Sequence, residues 1–331
     1  MKEALSEVRW GIIGAGDVCE VKSGPSFQLI KRSKLVAIMR RNTKKAKDYA
    51  KRHGIPKWYD NADELINDPE VNAIYIATPP KSHKEYVLKA ASVGKPVYVE
   101  KPMARTYNEC EEMVRFCDDL GVPLFVAYYR RALPNILKVK EIVDSGMLGD
   151  IRFVNIKMQK TIQPDMLSEI NLPVNWRIDP EVSGGGYFYD LASHQLDIMD
   201  FIFGAISEAS GFSLNQAGKY PADDITVGVF KFKNDIVGQG IWAFNTSSIS
   251  DKEVTIIEGS NGRVSFSFFG DNNVTLEWEG KSKEVFSFHI SKHIQQNLIS
   301  TIVDDLLGVG KCESTGASGA RTNWVMEQIC R

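Results

Sequence analysis

Three side chains in this sequence have the types and local settings needed to move a proton and stabilise an oxygen: Lys101, Asp190 and His194. Val97-Tyr-Val-Glu100-Lys101-Pro102 closes an apolar run that reads as a parallel strand. An open α/β sheet holds its ligand at the carboxyl ends of such strands, so Lys101 is aimed at a ligand cleft. A lysine there can donate to a carbonyl oxygen and stabilise alkoxide character. The alternative is an exposed lysine paired with Glu100. Pro102 fixes the exit of the chain and can form a cis bond that pins the lysine's direction. Further on, Gly184-Gly-Gly-Tyr187-Phe-Tyr-Asp190-Leu-Ala-Ser-His194-Gln-Leu-Asp197 reads as a flexible glycine run leading into an apolar helix. Asp190 and His194 lie four residues apart and therefore share one helical face. A carboxylate beside an imidazole can orient it and support its protonated state, which suits a proton carrier. Two other readings stay open: a satisfied structural pair in the core, and a metal site built from Asp190, His194 and Asp197. One helix supplies too few convergent ligands for the second, so no metal is expected.

Gly11-Ile-Ile-Gly14-Ala15-Gly16-Asp17-Val18-Cys19 stands where a first strand ends and a helix begins. A tight turn there lets backbone amides approach a dinucleotide pyrophosphate at the positive end of the helix. Cys19 replaces the last glycine of the usual pattern, a small side chain that still permits close helix packing. An ordinary strand-to-helix bend is the plainer reading. At the end of the second strand no acidic residue awaits an adenosine ribose; Arg40 and Arg41 stand there instead. Two guanidinium groups suit a 2′-phosphate, so NADP is preferred and NAD is possible. Thr78-Pro79-Pro80-Lys81-Ser82-His83 follows another strand end and should face the cofactor, with Ser82 equally explicable as a helix cap. Trp176-Arg177 offers an aromatic plane and a cation to the same cleft, or forms a packed stacking pair. Tyr128-Tyr129-Arg130-Arg131 either lines a substrate pocket or starts a helix.

The elements that must carry these residues follow from periodicity. Strands are expected at Arg9–Ile13, Lys34–Met39, Ala73–Ala77, Val97–Glu100 and Leu124–Ala127, alternating with charge-studded helical segments as parallel βαβ units do. Ser82-x-x-Glu85 and Thr106-x-x-Glu109 have capping-box spacing, and Gly54, Gly94 and Gly121 fall at C-terminal caps. After about residue 150 the runs Ile151–Lys160, Asp224–Lys233, Ile236–Phe244, Glu253–Glu258 and Gly262–Phe269 leave no room for crossover helices, so that sheet should be mostly antiparallel. Helices are expected at Gly186–Phe203, about Ser291–Leu307 and Ala317–Cys330. The fold class is thus an α/β Rossmann domain over residues 1–128 and an α+β domain with an open-faced sheet over 129–331, whose last helix can pack back on the first domain.

Bulk properties restrict the partners. With 331 residues, two domains are the sensible expectation. Forty basic against forty-two acidic residues give a net charge of −2 with no long block of one sign, against a nucleic-acid or membrane-surface partner. The start lacks the apolar core of a signal peptide and no stretch has the roughly 18 apolar residues of a membrane span, so a cytoplasmic address is expected. Five cysteines without a Cys-x-x-Cys pair read as buried thiols.

Together these residues resemble the glucose-fructose oxidoreductase, inositol dehydrogenase and rhizopine catabolism family, Gfo/Idh/MocA. The marks are Gly11-Ile-Ile-Gly14-Ala-Gly16, Ile76-Ala-Thr-Pro79-Pro80 with His83, Glu100-Lys101-Pro102, Trp176-Arg177, and Gly185-Gly186 leading to Asp190 and His194. The resemblance implies an NAD(P)-dependent oxidoreductase acting on the CH–OH group of a sugar or polyol. Lys101 would contact the reacting oxygen, His194 transfer the proton and Asp190 orient it. It implies cofactor contacts from Gly14–Val18, Arg40, Arg41, Thr78–Pro80, His83, Glu100, Lys101, Trp176 and Arg177. Substrate contacts are expected from Lys101, Tyr128, Arg130, Tyr187, Asp190 and His194. Arg40-Arg41 is similar to the pair in NADP-preferring reductases resembling 1,5-anhydro-D-fructose reductase, which makes ketone reduction the expected direction. Many relatives carry Asn or His where Tyr128 stands. The resemblance further implies a homodimer or homotetramer formed through the open sheet, with aromatics of Ile241–Phe244 and Val264–Phe269 supplying apolar area. Rival functions on the same fold are a redox glycosidase using NAD within one turnover, and a dinucleotide-sensing protein without turnover.

Overall fold

A computed structural model describes residues 5–162, 164–167 and 175–331. They form two compact units, one running to Arg130 and taking in Ser291–Ala320, the other comprising Arg131–Ile290 and Arg321–Arg331. The sequence placed 129–331 in a second domain whose last helix can pack back on the first; in the structure Ser291–Ala320 lies with the first unit. Gln295 is one reason: buried in the first unit, it accepts a hydrogen bond from Tyr98 Oη (2.8 Å) and donates to Glu100 (2.7 Å). Ser314 Oγ donates to the Val126 carbonyl, and Gly316 and Gly319 at the start of the last helix sit tightly against Leu124 and Val126.

The first unit contains a six-stranded parallel sheet of β1 (Val8–Ile13), β2 (Ser33–Met39), β3 (Lys57–Tyr59), β4 (Ala73–Ile76), β5 (Val97–Val99) and β6 (Leu124–Val126), in the order β3-β2-β1-β4-β5-β6. Burial on both faces explains why its strands read as continuous apolar runs rather than alternating ones; all four residues of β4 are buried. The three-residue β3, lying at the edge beside β2, was not expected and is too short to give a pattern. Asn42 caps the Thr43–His53 helix by accepting from the Lys45 amide, and Gly54 closes it at φ +65°. Gly94 and Gly121 also adopt left-handed φ. Thr106 caps as its spacing predicts, accepting from the Glu109 amide. Ser82 does not: a short turn over Pro80–Ser82 precedes the helix, and its hydroxyl donates to Thr78 Oγ1 and the Pro79 carbonyl.

In the second unit eight strands form one sheet. They are β7 (Ile151–Gln159), β8 (Ile206–Leu214), β9 (Ile225–Phe232), β10 (Val237–Ala243), β11 (Lys252–Gly259), β12 (Gly262–Phe266), β13 (Asn273–Trp278) and β14 (Glu284–Ser287). Their order is β14-β13-β12-β11-β7-β10-β9-β8, and every pair is antiparallel except β10 with β7. The expected mostly antiparallel sheet is present, but β8, β13 and β14 were missed. Alternation puts Phe230, Phe232, Trp242, Val264 and Phe266 on the buried side, whereas Phe153, Phe212, Val227, Val229 and Val237 face out. This corrects the expected source of outer apolar area: Trp242 and Phe244 are almost fully buried, as the period-2 geometry of a strand requires for one face. Helical structure around His194 is also not uniform, with a π-turn over Phe188–Ala192 preceding the α-helix Ser193–Phe203. Four of the five cysteines are buried and all are free thiols. Among the described residues no helix is long and apolar enough to cross a membrane.

Candidate functional site

At the carboxyl edge of the first unit's sheet, β1 is flanked by β2 and β4, so the turns after these three strands lie side by side. This reversal of strand order is where a doubly wound sheet opens a crevice. Gly14 turns at φ +86°, and a Cβ on it would come within 2.6 Å of the Thr78 methyl group and 3.0 Å of the Thr78 amide nitrogen. Only glycine fits both demands. The Gly14 and Ala15 amides, expected on a pyrophosphate, instead donate to the Met39 carbonyl at 3.0 and 3.3 Å, and that of Gly16 turns back to the Gly14 carbonyl. A phosphate would therefore meet the amides of Asp17 and Val18, which begin the helix and have no acceptor four residues earlier within it. Space at Gly16 is open: the nearest atom to a Cβ there is the Gly14 oxygen at 3.7 Å. Cys19 is fully buried and its thiol is pushed up to about 12 by desolvation, so it serves packing. Its carbonyl accepts from Tyr49 Oη at 2.7 Å.

Arg40 is half-buried and Arg41 exposed at the end of β2, where no carboxylate occurs in the sequence from Met39 to Thr43. A left-handed glycine turn and open space at Gly16 fit a dinucleotide, and two cations stand at the next strand end. His83, expected at the cofactor, is held among main-chain carbonyls. The ring is fully buried, with Nε2 2.6 Å from the Thr78 carbonyl oxygen and Nδ1 3.1 Å from that of Met103. Burial holds its pKa below the usual histidine value, against the pull of these carbonyls. It thus ties the loop after β4 to the loop after Lys101. The Lys101–Pro102 peptide is cis. Glu100, also expected at the cofactor, is turned inward: its carboxylate accepts from Tyr75 Oη (2.6 Å), Gln295 Nε2 (2.7 Å) and the Lys101 amide (3.2 Å). Lys101 is consequently set on a braced strand end and is itself half-buried.

In the second unit Arg177 lies over the Trp176 ring, 4.5 Å from its centroid, and its Nε is 3.3 Å from Asp190 Oδ2. The stacking-pair reading of Trp176-Arg177 describes this geometry, with the cation delivered to Asp190. The glycine run is not a flexible hinge. A Cβ on Gly185 would overlap the Tyr189 ring, and Gly186, at φ +71°, would meet Ala222 at 2.6 Å. Tyr187, expected at the substrate, is buried, and its hydroxyl donates to the Met166 carbonyl (2.6 Å) and accepts from Asn175 (3.2 Å). Tyr128 likewise lies fully inside the apolar core of the first unit, and Arg130 is buried with its guanidinium 5.3 Å from the Tyr129 ring.

His194 is 2% exposed and has the ring of Phe269 edge-on at 6.1 Å between centroids. Its helix is anchored by the residues that follow it. Gln195 donates to Glu253 (2.9 Å) and accepts from Trp242 Nε1 (2.6 Å). Asp197 accepts two hydrogen bonds from the Arg131 guanidinium at 2.8 and 2.7 Å, and Asp200 pairs with Arg321 at 2.7 Å. Burial pushes the Asp197 carboxyl up to about 6, with Arg131 pulling it down. Sequence reasoning missed Gln295, Arg131 in this role, Glu253 and Phe269. Each acts across a long sequence separation.

Comparison with known proteins agrees with this architecture. Residues 8–128 match the oxidoreductase family with an NAD-binding Rossmann fold, and residues 136–265 match the GFO/IDH/MocA C-terminal domain. Oxidoreductase P35 of Formosa agariphila is 39% identical over 98% of this chain and 99% of its own. The 1,5-anhydro-D-fructose reductase of Ensifer adhaerens is 27% identical, covering 72% of this chain and 70% of its own. Among solved structures, levoglucosan dehydrogenase in complex with NADH and levoglucosan superposes with a TM-score of 0.85 over 98% of this chain and 96% of that one, at 20% identity. Aldose-aldose oxidoreductase from Caulobacter crescentus gives a TM-score of 0.82 over 98% and 96%, at 22% identity. With a family model matching each half and a relative 39% identical over nearly the whole length, this chain belongs to the Gfo/Idh/MocA family of oxidoreductases.

Proposed function

We propose that this protein is an NADP-dependent oxidoreductase that interconverts a carbinol and a ketone on a sugar or polyol, with reduction as its working direction. The observation that carries the cofactor choice is the pair Arg40-Arg41 at the end of β2, in the position where an acidic residue would bind an unphosphorylated ribose. Asp17, Val18, Thr78 and Pro79 line the remainder of that strand-end edge. The nicotinamide supplies the reducing equivalent. Lys101 donates to the substrate oxygen and stabilises negative charge as it develops. His194 delivers the proton, and Asp190, paired with Arg177, provides the carboxylate that favours the protonated imidazole. Names of relatives that act on 1,5-anhydro-D-fructose and levoglucosan support the substrate class. The outward apolar row of Phe153, Val227, Val229 and Val237 supports self-association through the second unit's sheet.

The deciding experiment follows NADPH and NADH absorbance with 1,5-anhydro-D-fructose and related ketoses as substrates. NADPH should be preferred, and Arg40→Ala with Arg41→Ala should weaken NADPH binding at least about tenfold more than NADH binding. Equal losses sink the phosphate assignment. His194→Ala should lower turnover by roughly 10²- to 10⁴-fold; full turnover in that variant removes the proton donor from this account. Light scattering on the same preparations checks association, and a monomer at all concentrations excludes it.

A further inference from the structure

Phe269 is 38% exposed, while the imidazole it contacts, His194, is 2% exposed. Their rings meet at 63° with centroids 6.1 Å apart, so Phe269 forms an outer layer on one flank of His194. An exposed phenylalanine on a loop would ordinarily sample several positions. This one is fixed through Glu253, whose carboxylate accepts from the Phe269 amide (3.1 Å), the Phe268 amide (2.7 Å) and Ser267 Oγ. Ser267 Oγ in turn accepts from the Gly270 amide at 2.7 Å, closing the turn. The other Glu253 oxygen accepts from Gln195, the residue next to His194. One carboxylate therefore holds both the backbone of Phe269 and the start of the helix that carries the imidazole. Convergent anchoring of this kind maintains an aromatic surface at a constant distance from the proton donor, at low entropic cost on binding.

We infer that Phe269 is a specificity-determining residue: its exposed ring is the platform on which the apolar C–H face of a cyclic sugar rests while His194 serves the reacting oxygen. A sugar ring has one polar rim and patches of C–H surface, and pockets for such ligands combine aromatic walls with a few polar groups that set orientation. An acyclic polyol has no persistent face of that kind and gains little from the platform. The inference deepens the proposed function and rests on its assignment of His194 to the substrate oxygen.

The test measures binding separately from turnover. Saturation-transfer NMR on the NADPH-loaded protein, with levoglucosan, L-sorbose, 1,5-anhydro-D-fructose and glycerol as probes, reports which ligand protons lie against aromatic side chains. The expected result is selective transfer to the C–H protons of one ring face, lost in Phe269→Ala and retained in Phe269→Trp. Apparent affinity for the cyclic probes should fall roughly 5- to 30-fold in Phe269→Ala, and about as far in Phe269→Leu, which keeps apolar bulk without a flat π surface. Glycerol binding should change by less than about twofold. Identical transfer patterns in wild type and Phe269→Ala, equal losses for cyclic and acyclic probes, or no binding of any cyclic probe to the wild type each overturn the platform. Binding with the expected pattern but no oxidation of NADPH overturns the functional reading alone and leaves the platform in place.

Discussion

His83 in the first unit and His194 in the second are both buried imidazoles, but they are secured by different means. Around His83 the partners are main-chain carbonyls of two loops that leave adjacent strand ends, and Gly14 is fitted against the backbone of the same Thr78. Around His194 the partners of its helix are side chains from distant strands and turns: Trp242 and Glu253 through Gln195, and Arg131 through Asp197. The first unit thus fixes its edge through backbone geometry, which tolerates no added Cβ at Gly14. The second relies on a buried polar network, in which each member depends on its partners remaining present.

Breaking the network should have the largest effect. Arg131→Leu leaves the Asp197 carboxylate buried without its bidentate partner and should cost about 3–5 kcal/mol of unfolding free energy. Urea denaturation checks this, and a loss below about 1 kcal/mol means the network contributes little. Next comes a pair of glycine substitutions in the first unit. Gly14→Ala meets both the left-handed φ and the Thr78 backbone and should lower stability by about 1–3 kcal/mol. Gly16→Ala, at extended φ with open space, should leave stability within about 0.5 kcal/mol while weakening dinucleotide binding. Comparable melting shifts in the two variants contradict the backbone account.

The smallest expected effect sharpens the contrast by pH. Arg52 hydrogen bonds, opposed by modest desolvation and aided by His53, hold Glu20 in the first unit down at about 2 from its ordinary 4.5. Its stabilising contribution is present above about 4.5 and is lost as pH falls towards 2. Asp197 has the opposite sign. Lifted from 3.8 to about 6 by burial, it binds more protons folded than unfolded between those values, so its contribution to stability falls as pH rises through that window. Unfolding of Glu20→Gln and Asp197→Asn against wild type, measured from pH 3 to 7, should show these two dependences. Slopes of the same sign contradict the assignment.

Much of the first unit was legible because its information is local. Runs such as Ala73–Ile76 are buried on both faces, helix ends carry Asn42, Thr106 and Gly54, and the glycine turn announces itself by position. The weakly patterned or short strands β3, β8, β13 and β14 were not, since three residues give no period and β8 alternates small polar residues with few apolar ones. In the candidate site, the types of Lys101, Asp190 and His194 suggested the chemistry proposed for them. What holds them did not show, because Glu100 with Gln295, and Gln195 with Glu253, are linked only through side chains brought together by folding.

By itself the chain's order of residues determined the family, the parallel character of the first sheet and the largely antiparallel character of the second, all of which depend on periodicity and turn chemistry over a few residues. Tertiary structure alone decided that Ser291–Ala320 belongs with the first unit, that Tyr128 and Tyr187 are inward, and that Phe269 covers one flank of His194. The physical reason is that burial and hydrogen-bond partnership are properties of a packed arrangement. A tyrosine, a glutamate or a phenylalanine reads the same in sequence whichever side of the sheet it will occupy.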